Sequence, residues 1–297
     1  MERKTVADFH PEVMKLFDRY VHGLIDRRGF LEGAGKYAAV GTTAVGLLEA
    51  LSPKYAEAQQ IAKDDKRITT AYVEYQSPNG HGKMRGYLVK PANATGKLPG
   101  VIVVHENRGL NPHTEDVARR VALENFVAFA PDALTPLGGY PGTDEAGVEM
   151  QRKLEGPKIQ QDMIAATNWL RQHADTTGRV GIVGFCFGGS VSNNVAVNVP
   201  ELGASVPFYG GQPRAEDVPK IQAPLMLQYA ETDERINAGI PAYEAALKAN
   251  NKKYVIHQYP GTQHGFLNDT TPRYNEAAAR LAFTRTIAFF NEHLRKK

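Results

Sequence analysis

The feature that most constrains this 297-residue chain is a glycine-rich turn around its single cysteine. The apolar run at residues 179–183 leads into Gly184-Phe185-Cys186-Phe187-Gly188-Gly189, and a segment compatible with a helix follows. Larger side chains would clash in so tight a turn between a strand and a helix. A lone thiol at a helix N-terminus cannot form an intramolecular disulfide and is a candidate nucleophile. The alternative is an unreactive buried cysteine.

This pattern matches the nucleophile elbow of an α/β-hydrolase, with cysteine in the usual position of serine. In that fold the acid and the base follow the nucleophile along the chain. Asp233 lies in a polar turn after the buried run at residues 223–229. Because open α/β sheets place their chemistry at the carboxyl ends of strands, we predict that Asp233 orients the base. Glu231 and Glu234 are alternatives to Asp233.

His264 is the predicted base, which would take a proton from Cys186 and return one to the leaving group. It lies in a glycine-bracketed loop after the alternating run at residues 253–259, whereas its competitor His257 lies within that run. The remaining histidines have no strand-end context, so the sequence predicts surface residues and no metal site. These histidines are His10, His22, His81, His113, His173 and His293.

Two backbone amides are candidate donors to an oxyanion. One is the amide of Phe187 at the start of the helix, and the other is that of Asn107, in the loop after the apolar run at residues 101–104. Glu106 in the same loop would point toward Cys186, where a carboxylate disfavours the thiolate and would hold the nucleophile in check. Alternatively, Glu106 pairs with Arg108 and only shapes the loop.

Four segments of the chain resemble the dienelactone hydrolase family, which includes carboxymethylenebutenolidases. They are HENRGL at residues 105–110, APDAL at residues 130–134, GIVGFCFGG at residues 181–189 and GTQHGF at residues 261–266. The resemblance covers roughly residues 68–295 and is specific, because a cysteine elbow is unusual in this fold. It implies an enzyme that opens enol-lactones such as dienelactone or cleaves other esters, without a metal or an organic cofactor.

The resemblance also implies roles for individual residues. Cys186, His264 and Asp233 would form a catalytic triad. Glu106 would bind the thiol in the resting enzyme and swing away when an anionic substrate arrives.

One departure from the family concerns the substrate. Well-known members have an arginine after the catalytic histidine, in the pattern His-x-Phe-x-Arg, and this chain has Asn268 there. Arg152 and Arg108 are the predicted candidates for binding a substrate carboxylate.

The first 58 residues predict a twin-arginine export signal. Arg27-Arg28 precedes Phe30-Leu31, an apolar region spans residues 34–51, and residues 55–59 offer a small-x-small cleavage site. The apolar region is too short and too interrupted to span a membrane stably. This interpretation predicts a periplasmic or exported enzyme. The alternative is a cytoplasmic enzyme with extra N-terminal helices packed on it and both arginines on the surface.

The rest of the chain alternates between strand and helix signals. Residues 59–67 would be a linker, and residues 68–297 a catalytic domain with a mostly parallel, doubly wound sheet flanked by helices. A hairpin from Ile68–Ser77 and residues 83–90 would lie antiparallel at one sheet edge. Residues 144–173 would form a long helical segment broken at Gly156-Pro157.

Composition excludes some partners and leaves others open. A net charge of +3, evenly spread, does not indicate nucleic-acid binding. A small ester or lactone is the expected substrate, export machinery the expected partner, and the oligomeric state is undetermined. Competing hypotheses are a non-catalytic module that binds a small anion or a protein, and a thiol redox protein, which would need an external resolving thiol.

Overall fold

Eight strands form one sheet in the computed structural model, which describes residues 4–38 and 42–295. Strand β2 is antiparallel to both β1 and β4, and the remaining neighbouring pairs are parallel, in the order β1-β2-β4-β3-β5-β6-β7-β8. The predicted edge hairpin and mostly parallel sheet are therefore confirmed. The strands are β1 (Ile68–Ser77), β2 (Gly82–Pro91), β3 (Leu98–Val104), β4 (Val127–Pro131), β5 (Thr176–Phe185), β6 (Ala204–Phe208), β7 (Leu225–Thr232) and β8 (Tyr254–Gln263).

The helices of the described ranges divide into an N-terminal group and a group that flanks the sheet. The N-terminal group comprises α1 (Pro11–Val21), α2 (Arg27–Ala34), α3 (Ala44–Leu51) and α4 (Tyr55–Ala58). The flanking group comprises α5 (Pro112–Leu123), α6 (Asp144–Arg152), α7 (Gly156–Gln172), α8 (Phe187–Asn198), α9 (Glu234–Asn237), α10 (Ile240–Ala249) and α11 (Glu276–Leu294). None of these helices combines the length and the apolar composition that a membrane span requires.

Strand β3 explains why the sheet is buried on both faces. Successive side chains of a strand point to opposite faces, so an unbroken apolar run supplies two cores. Val101 and Val103 belong to the core shared with α5 and α11, whereas Ile102 and Val104 belong to the core shared with α7, α8 and α10. All four side chains are fully buried.

The break in the long helical segment differs from the prediction by a few residues. Helix α6 ends at Arg152 and α7 begins at Gly156, so Gly156-Pro157 opens the second helix and does not interrupt a continuous one. Proline is favoured in the first turn of a helix because its missing N–H has no intrahelical partner there.

The N-terminal helices have a small core of their own, which includes Phe17 and Phe30. They also contact the loops at the carboxyl end of the sheet. The Asn107 side chain donates to the carbonyl of Val21 over 2.8 Å. This packing is the arrangement that the alternative to an export signal describes, and export itself stays a prediction.

Candidate active site

Cys186 lies in the sharp turn between β5 and α8. Its backbone φ is +56°, a left-handed value that is costly for a side chain with a Cβ and is typical of a strained functional turn. A Cβ on Gly184 would come within 2.0 Å of the Gly188 carbonyl oxygen. The turn can therefore close only with glycine there, as the sequence predicts. The Cys186 side chain is buried.

The amide of Phe187 begins α8, and an N–H in the first turn of a helix has no intrahelical acceptor. A Cβ on Gly188 would lie 2.4 Å from the Val104 carbonyl oxygen, so the end of β3 packs directly against this turn. The loop that carries Asn107 therefore starts beside the nucleophile. Its role as the second oxyanion donor stays a prediction.

Asp233 and His264 meet at the carboxyl ends of β7 and β8. His264 Nδ1 lies 2.6 Å from Asp233 Oδ2, and both side chains are buried. The second Asp233 oxygen accepts from the Ile236 amide at 3.4 Å, which fixes the carboxylate at the start of α9. Glu231 and Glu234 are exposed, so among these three acidic residues Asp233 is the one placed on the imidazole.

His264 and Cys186 lie together as the chain order predicts. The Cys186 sulfur and a ring nitrogen of His264 are within 4.8 Å of each other. His257, the competitor, stays within β8 and is only half-buried. The structure thus brings the three proposed triad residues into one cluster.

A second histidine, which the sequence analysis did not predict here, also reaches this cluster. His22 follows α1, and its Nε2 lies 3.4 Å from Cys186 Sγ and 3.2 Å from His264 Nε2. Its Nδ1 lies 2.7 Å from the Asp18 carbonyl oxygen. Arg235 Nη2 lies 3.1 Å from the His22 Nε2. Local sequence could not have found this contact, because it joins residues more than 160 positions apart.

The prediction that His22 is a surface residue is therefore wrong, and the same holds for three other histidines. The exposed fraction of the side chain is 11% for His22, 12% for His81, 4% for His113 and 11% for His293. His81 and His113 are paired with Asp162 and Asp269, whose positions depend on the fold and not on sequence spacing.

Electrostatics in the cluster favour a thiolate. Burial raises the pKa of the Cys186 thiol, but the neighbouring charges of His264 and His22 outweigh burial and lower that pKa well below its usual value. Burial lowers the pKa of His264, whereas the thiolate and Asp233 raise it above its usual value. A thiolate and a protonated imidazole therefore stabilise each other here.

Glu106 is buried and interacts with two side chains. Its Oε2 accepts from Asn268 Nδ2 at 3.1 Å and lies 3.5 Å from Arg108 Nη2. Burial raises the pKa of Glu106, but Arg108 and Arg273 lower it to about 2, so the carboxylate is ionised. These contacts agree with the alternative in which Glu106 pairs with Arg108. Control of the thiol by Glu106 stays a prediction.

Of the two predicted carboxylate-binding arginines, Arg108 is buried and paired with acidic side chains, whereas Arg152 is exposed. Arg108 Nη1 lies 2.8 Å from Asp144 Oδ2. Arg152 packs against Gly23, where a Cβ would come within 1.1 Å of the guanidinium. Both line a cavity of about 800 Å³ between the N-terminal helices and residues 140–152.

Arg273 is a further cation that sequence reasoning missed. Its side chain is buried, and it contacts the His264 turn, since a Cβ on Gly265 would lie 3.2 Å from the guanidinium carbon. Its Nη1 donates to Asp18 Oδ1 of α1 at 3.4 Å. Arg273 thus supplies positive charge near the position where the family pattern has arginine and this chain has Asn268.

Comparison with known proteins identifies the family of this chain. The model of the dienelactone hydrolase family matches residues 84–294, and a model described as YqhI-like matches residues 1–39. A Synechocystis protein named "Putative carboxymethylenebutenolidase" is 32% identical over 73% of this chain and 95% of its own length. An Escherichia coli K12 protein named "Putative hydrolase fragment YghX" is 56% identical over 38% of this chain and 97% of its own length.

A solved structure shows the same architecture. It is described as a "Putative Dienelactone Hydrolase" from Klebsiella pneumoniae, with a TM-score of 0.66 and 28% identity over 75% of this chain and 99% of that one. The elbow, the sheet and the matched family model agree with one another. The chain belongs to the dienelactone hydrolase family, and the protein is a hydrolase of small esters or lactones.

Proposed function

We propose that the protein cleaves its ester or lactone by acyl transfer to Cys186, with His264 as general base and Asp233 as the residue that orients it. The observation that supports this most directly is the 2.6 Å contact between His264 Nδ1 and Asp233 Oδ2, beside a sulfur in a strained turn. A base held by a carboxylate within reach of a nucleophile is the geometry that covalent acyl transfer needs.

The reaction proceeds in two balanced steps. The Cys186 thiolate attacks the carbonyl carbon, and the ester C–O bond breaks as the leaving oxygen takes a proton from His264. A water molecule then gives a proton to His264 and attacks the thioester carbonyl. The C–S bond breaks, which releases the carboxylic acid and restores the Cys186 thiolate. In a lactone the leaving oxygen stays attached to the acyl group, so one open-chain product forms.

The amides of Phe187 and Asn107 would receive the oxyanion in both steps. Both follow directly from the carboxyl ends of neighbouring strands β5 and β3, which pack together at the elbow. Fixed N–H donors stabilise the charge that develops on the carbonyl oxygen without having to reorganise.

An anionic substrate would bring its own carboxylate to the arginines around the site. Arg273 lies against the His264 turn, whereas Arg108 is paired with Glu106 and Asp144. A substrate carboxylate competing for Arg108 would release Glu106, which links arginine binding to the proposed control of the thiol. Glu106→Gln should then raise the rate at which iodoacetamide alkylates Cys186. An unchanged rate would remove Glu106 from control of the thiol.

The proposed chemistry is tested by turnover of p-nitrophenyl acetate and an enol-lactone, with mass spectrometry of the quenched enzyme. The parent should accumulate an acyl adduct on Cys186, and Cys186→Ala should lose both adduct and turnover. His264→Gln should lose turnover, while the matched His257→Gln keeps it. Equal turnover by the parent and Cys186→Ala would end the proposal. No turnover across a broad panel would favour a binding module instead.

Export by the twin-arginine route is a second, separate proposal, supported by Arg27-Arg28 before Phe30-Leu31. Cell fractionation should find the parent in the periplasm and an Arg27→Lys/Arg28→Lys double variant in the cytoplasm. Unchanged export of the double variant, or no export of the parent, contradicts the proposal. The mass of the exported chain would show whether cleavage removes the helices that carry His22.

A further inference from the structure

We propose that Cys186, His22 and His264 form a binding site for a divalent transition-metal ion of the zinc type. Their ligand atoms come from three distant parts of the chain and lie within 4.8 Å of one another. The site uses the thiolate and the base of the proposed triad, but its existence does not depend on hydrolysis. The family resemblance implies no metal, and the third ligand comes from the N-terminal helices.

Two of the three separations between the ligand atoms match tetrahedral coordination. Zinc binds imidazole nitrogen at about 2.0–2.1 Å and thiolate sulfur at about 2.3 Å, which places two nitrogens about 3.3 Å apart and a nitrogen about 3.5 Å from the sulfur. The two Nε2 atoms are 3.2 Å apart, and His22 Nε2 is 3.4 Å from Cys186 Sγ. The remaining pair, Cys186 Sγ and a ring nitrogen of His264, lies within 4.8 Å, and a tetrahedral site requires these two atoms to stand about 3.5 Å apart.

The orientation of both rings also agrees with metal binding. His264 Nδ1 faces the Asp233 carboxylate, and His22 Nδ1 faces the Asp18 carbonyl oxygen at 2.7 Å. Since both partners only accept hydrogen bonds, each Nδ1 carries its hydrogen, and each Nε2 offers its lone pair when the ring is neutral. Donation of the distal N–H to a carboxylate or a carbonyl is the usual arrangement of metal-binding histidines.

Two lone pairs that face each other over 3.2 Å repel unless a cation lies between them. A proton on one Nε2 relieves that contact in the metal-free protein. A metal ion satisfies both nitrogens and the sulfur together. On binding, the proton on that Nε2 passes to solvent, while the Cys186 thiolate neutralises one charge of the ion. Three protein ligands leave a fourth position for water.

Arg235 would compete with the metal ion. Its Nη2 lies 3.1 Å from His22 Nε2, where it donates to the same lone pair, and its side chain is exposed and can move away. Removing this cation should strengthen metal binding. Where the proposed acyl transfer holds, a bound ion occupies both the nucleophile and the base, so it should inhibit hydrolysis.

The test is cobalt absorption of the full chain, purified free of metal. One equivalent of Co²⁺ should give tetrahedral d–d bands and a thiolate-to-cobalt charge-transfer band, both abolished by excess Zn²⁺. His22→Gln should weaken Co²⁺ binding by about 100-fold or more, beyond the effect of a residue outside the coordination sphere. The matched His257→Gln should bind as the parent does. Absence of the thiolate band, or an equal affinity of His22→Gln, would overturn the proposal.

A surface variant covers the case in which His22→Gln does not fold. Arg235→Gln leaves all three ligands in place and should bind Co²⁺ several-fold more tightly than the parent. Weaker or unchanged Co²⁺ binding by Arg235→Gln would contradict a metal site in which Arg235 competes with the ion for His22 Nε2. Inhibition of ester turnover by Zn²⁺, reversed by a chelator, is a separate readout. A protein that binds Co²⁺ but turns over no ester would lose the proposed acyl transfer and keep the metal site.

Discussion

The sheet domain and the N-terminal helices differ in how their structure is stabilised. The eight-stranded sheet is covered on both faces by separate apolar cores. The N-terminal helices of the described ranges share one small cluster, and they depend in addition on polar contacts with loops of the sheet domain. Yet this less extensively packed region contributes His22, which touches the proposed nucleophile. A small appendage can therefore alter a site whose scaffold it does not build.

The largest expected effect is the loss of turnover when the sheet domain no longer orients its catalytic base. Asp233→Asn keeps the size of the side chain but favours the wrong tautomer of His264, so turnover should fall by about 10²–10⁴-fold. Steady-state kinetics with p-nitrophenyl acetate measures this loss. A turnover within a few-fold of the parent would mean that Asp233 does not orient the base.

The next effect tests whether the N-terminal cluster unfolds separately from the sheet domain. Phe30 is fully buried in the N-terminal cluster, and Phe30→Ala should destabilise that region by about 3–5 kcal/mol. Hydrogen exchange should speed up in α1 and α2 while the strands stay protected. Phe129→Ala is the matched control, because Phe129 is equally buried but packs in the sheet domain. Equal loss of protection in both regions for Phe30→Ala would show that the two regions unfold as one unit.

A comparable effect is the loss of stability at acid pH that the buried Glu106 carboxylate of the sheet domain should cause. Arg108 and Arg273 overcome burial and lower the pKa of Glu106 from its usual 4.5 to about 2. The ionised Glu106 carboxylate therefore contributes its full stabilisation of the folded protein above about pH 4.5. This contribution, on the order of 3 kcal/mol in the free energy of unfolding, is lost as the pH falls toward 2. Urea unfolding between pH 6 and 3 should show a shallower acid loss for Glu106→Gln than for the parent. The same dependence of the free energy of unfolding on pH in both proteins would contradict the lowered pKa of Glu106.

The smallest effect concerns the contact between the two regions. Arg27 Nη1 lies 3.5 Å from Glu145 Oε2, and both side chains are about half exposed. Arg27→Ala should cost about 0.2–1 kcal/mol, since solvent screens an exposed ion pair. Arg28→Ala is the control, because Arg28 pairs with Glu32 of its own helix. A loss well above 1 kcal/mol in urea unfolding would show that docking of the N-terminal helices depends on this pair.

Sequence patterns predicted much of the sheet domain because its rules are local. The β-branched run of β3 and the glycines around Cys186 specify a buried strand and a tight turn through steric effects of neighbouring residues. Chain order predicted that Asp233 and His264 would lie near Cys186, because parallel strands bring their carboxyl ends to one edge. The break before Gly156 was displaced by a few residues, since proline begins helices as readily as it ends them.

By itself the sequence determined the nucleophile turn, the alternation of strands and helices, and the edge where the site would form. Only the tertiary structure decided that His22 meets Cys186 and His264, and that Arg273 lies beside the His264 turn. The contacts of His22 depend on how α1 docks at the carboxyl end of the sheet. Docking joins surfaces through many weak contacts between distant residues, and no spacing along the chain records it.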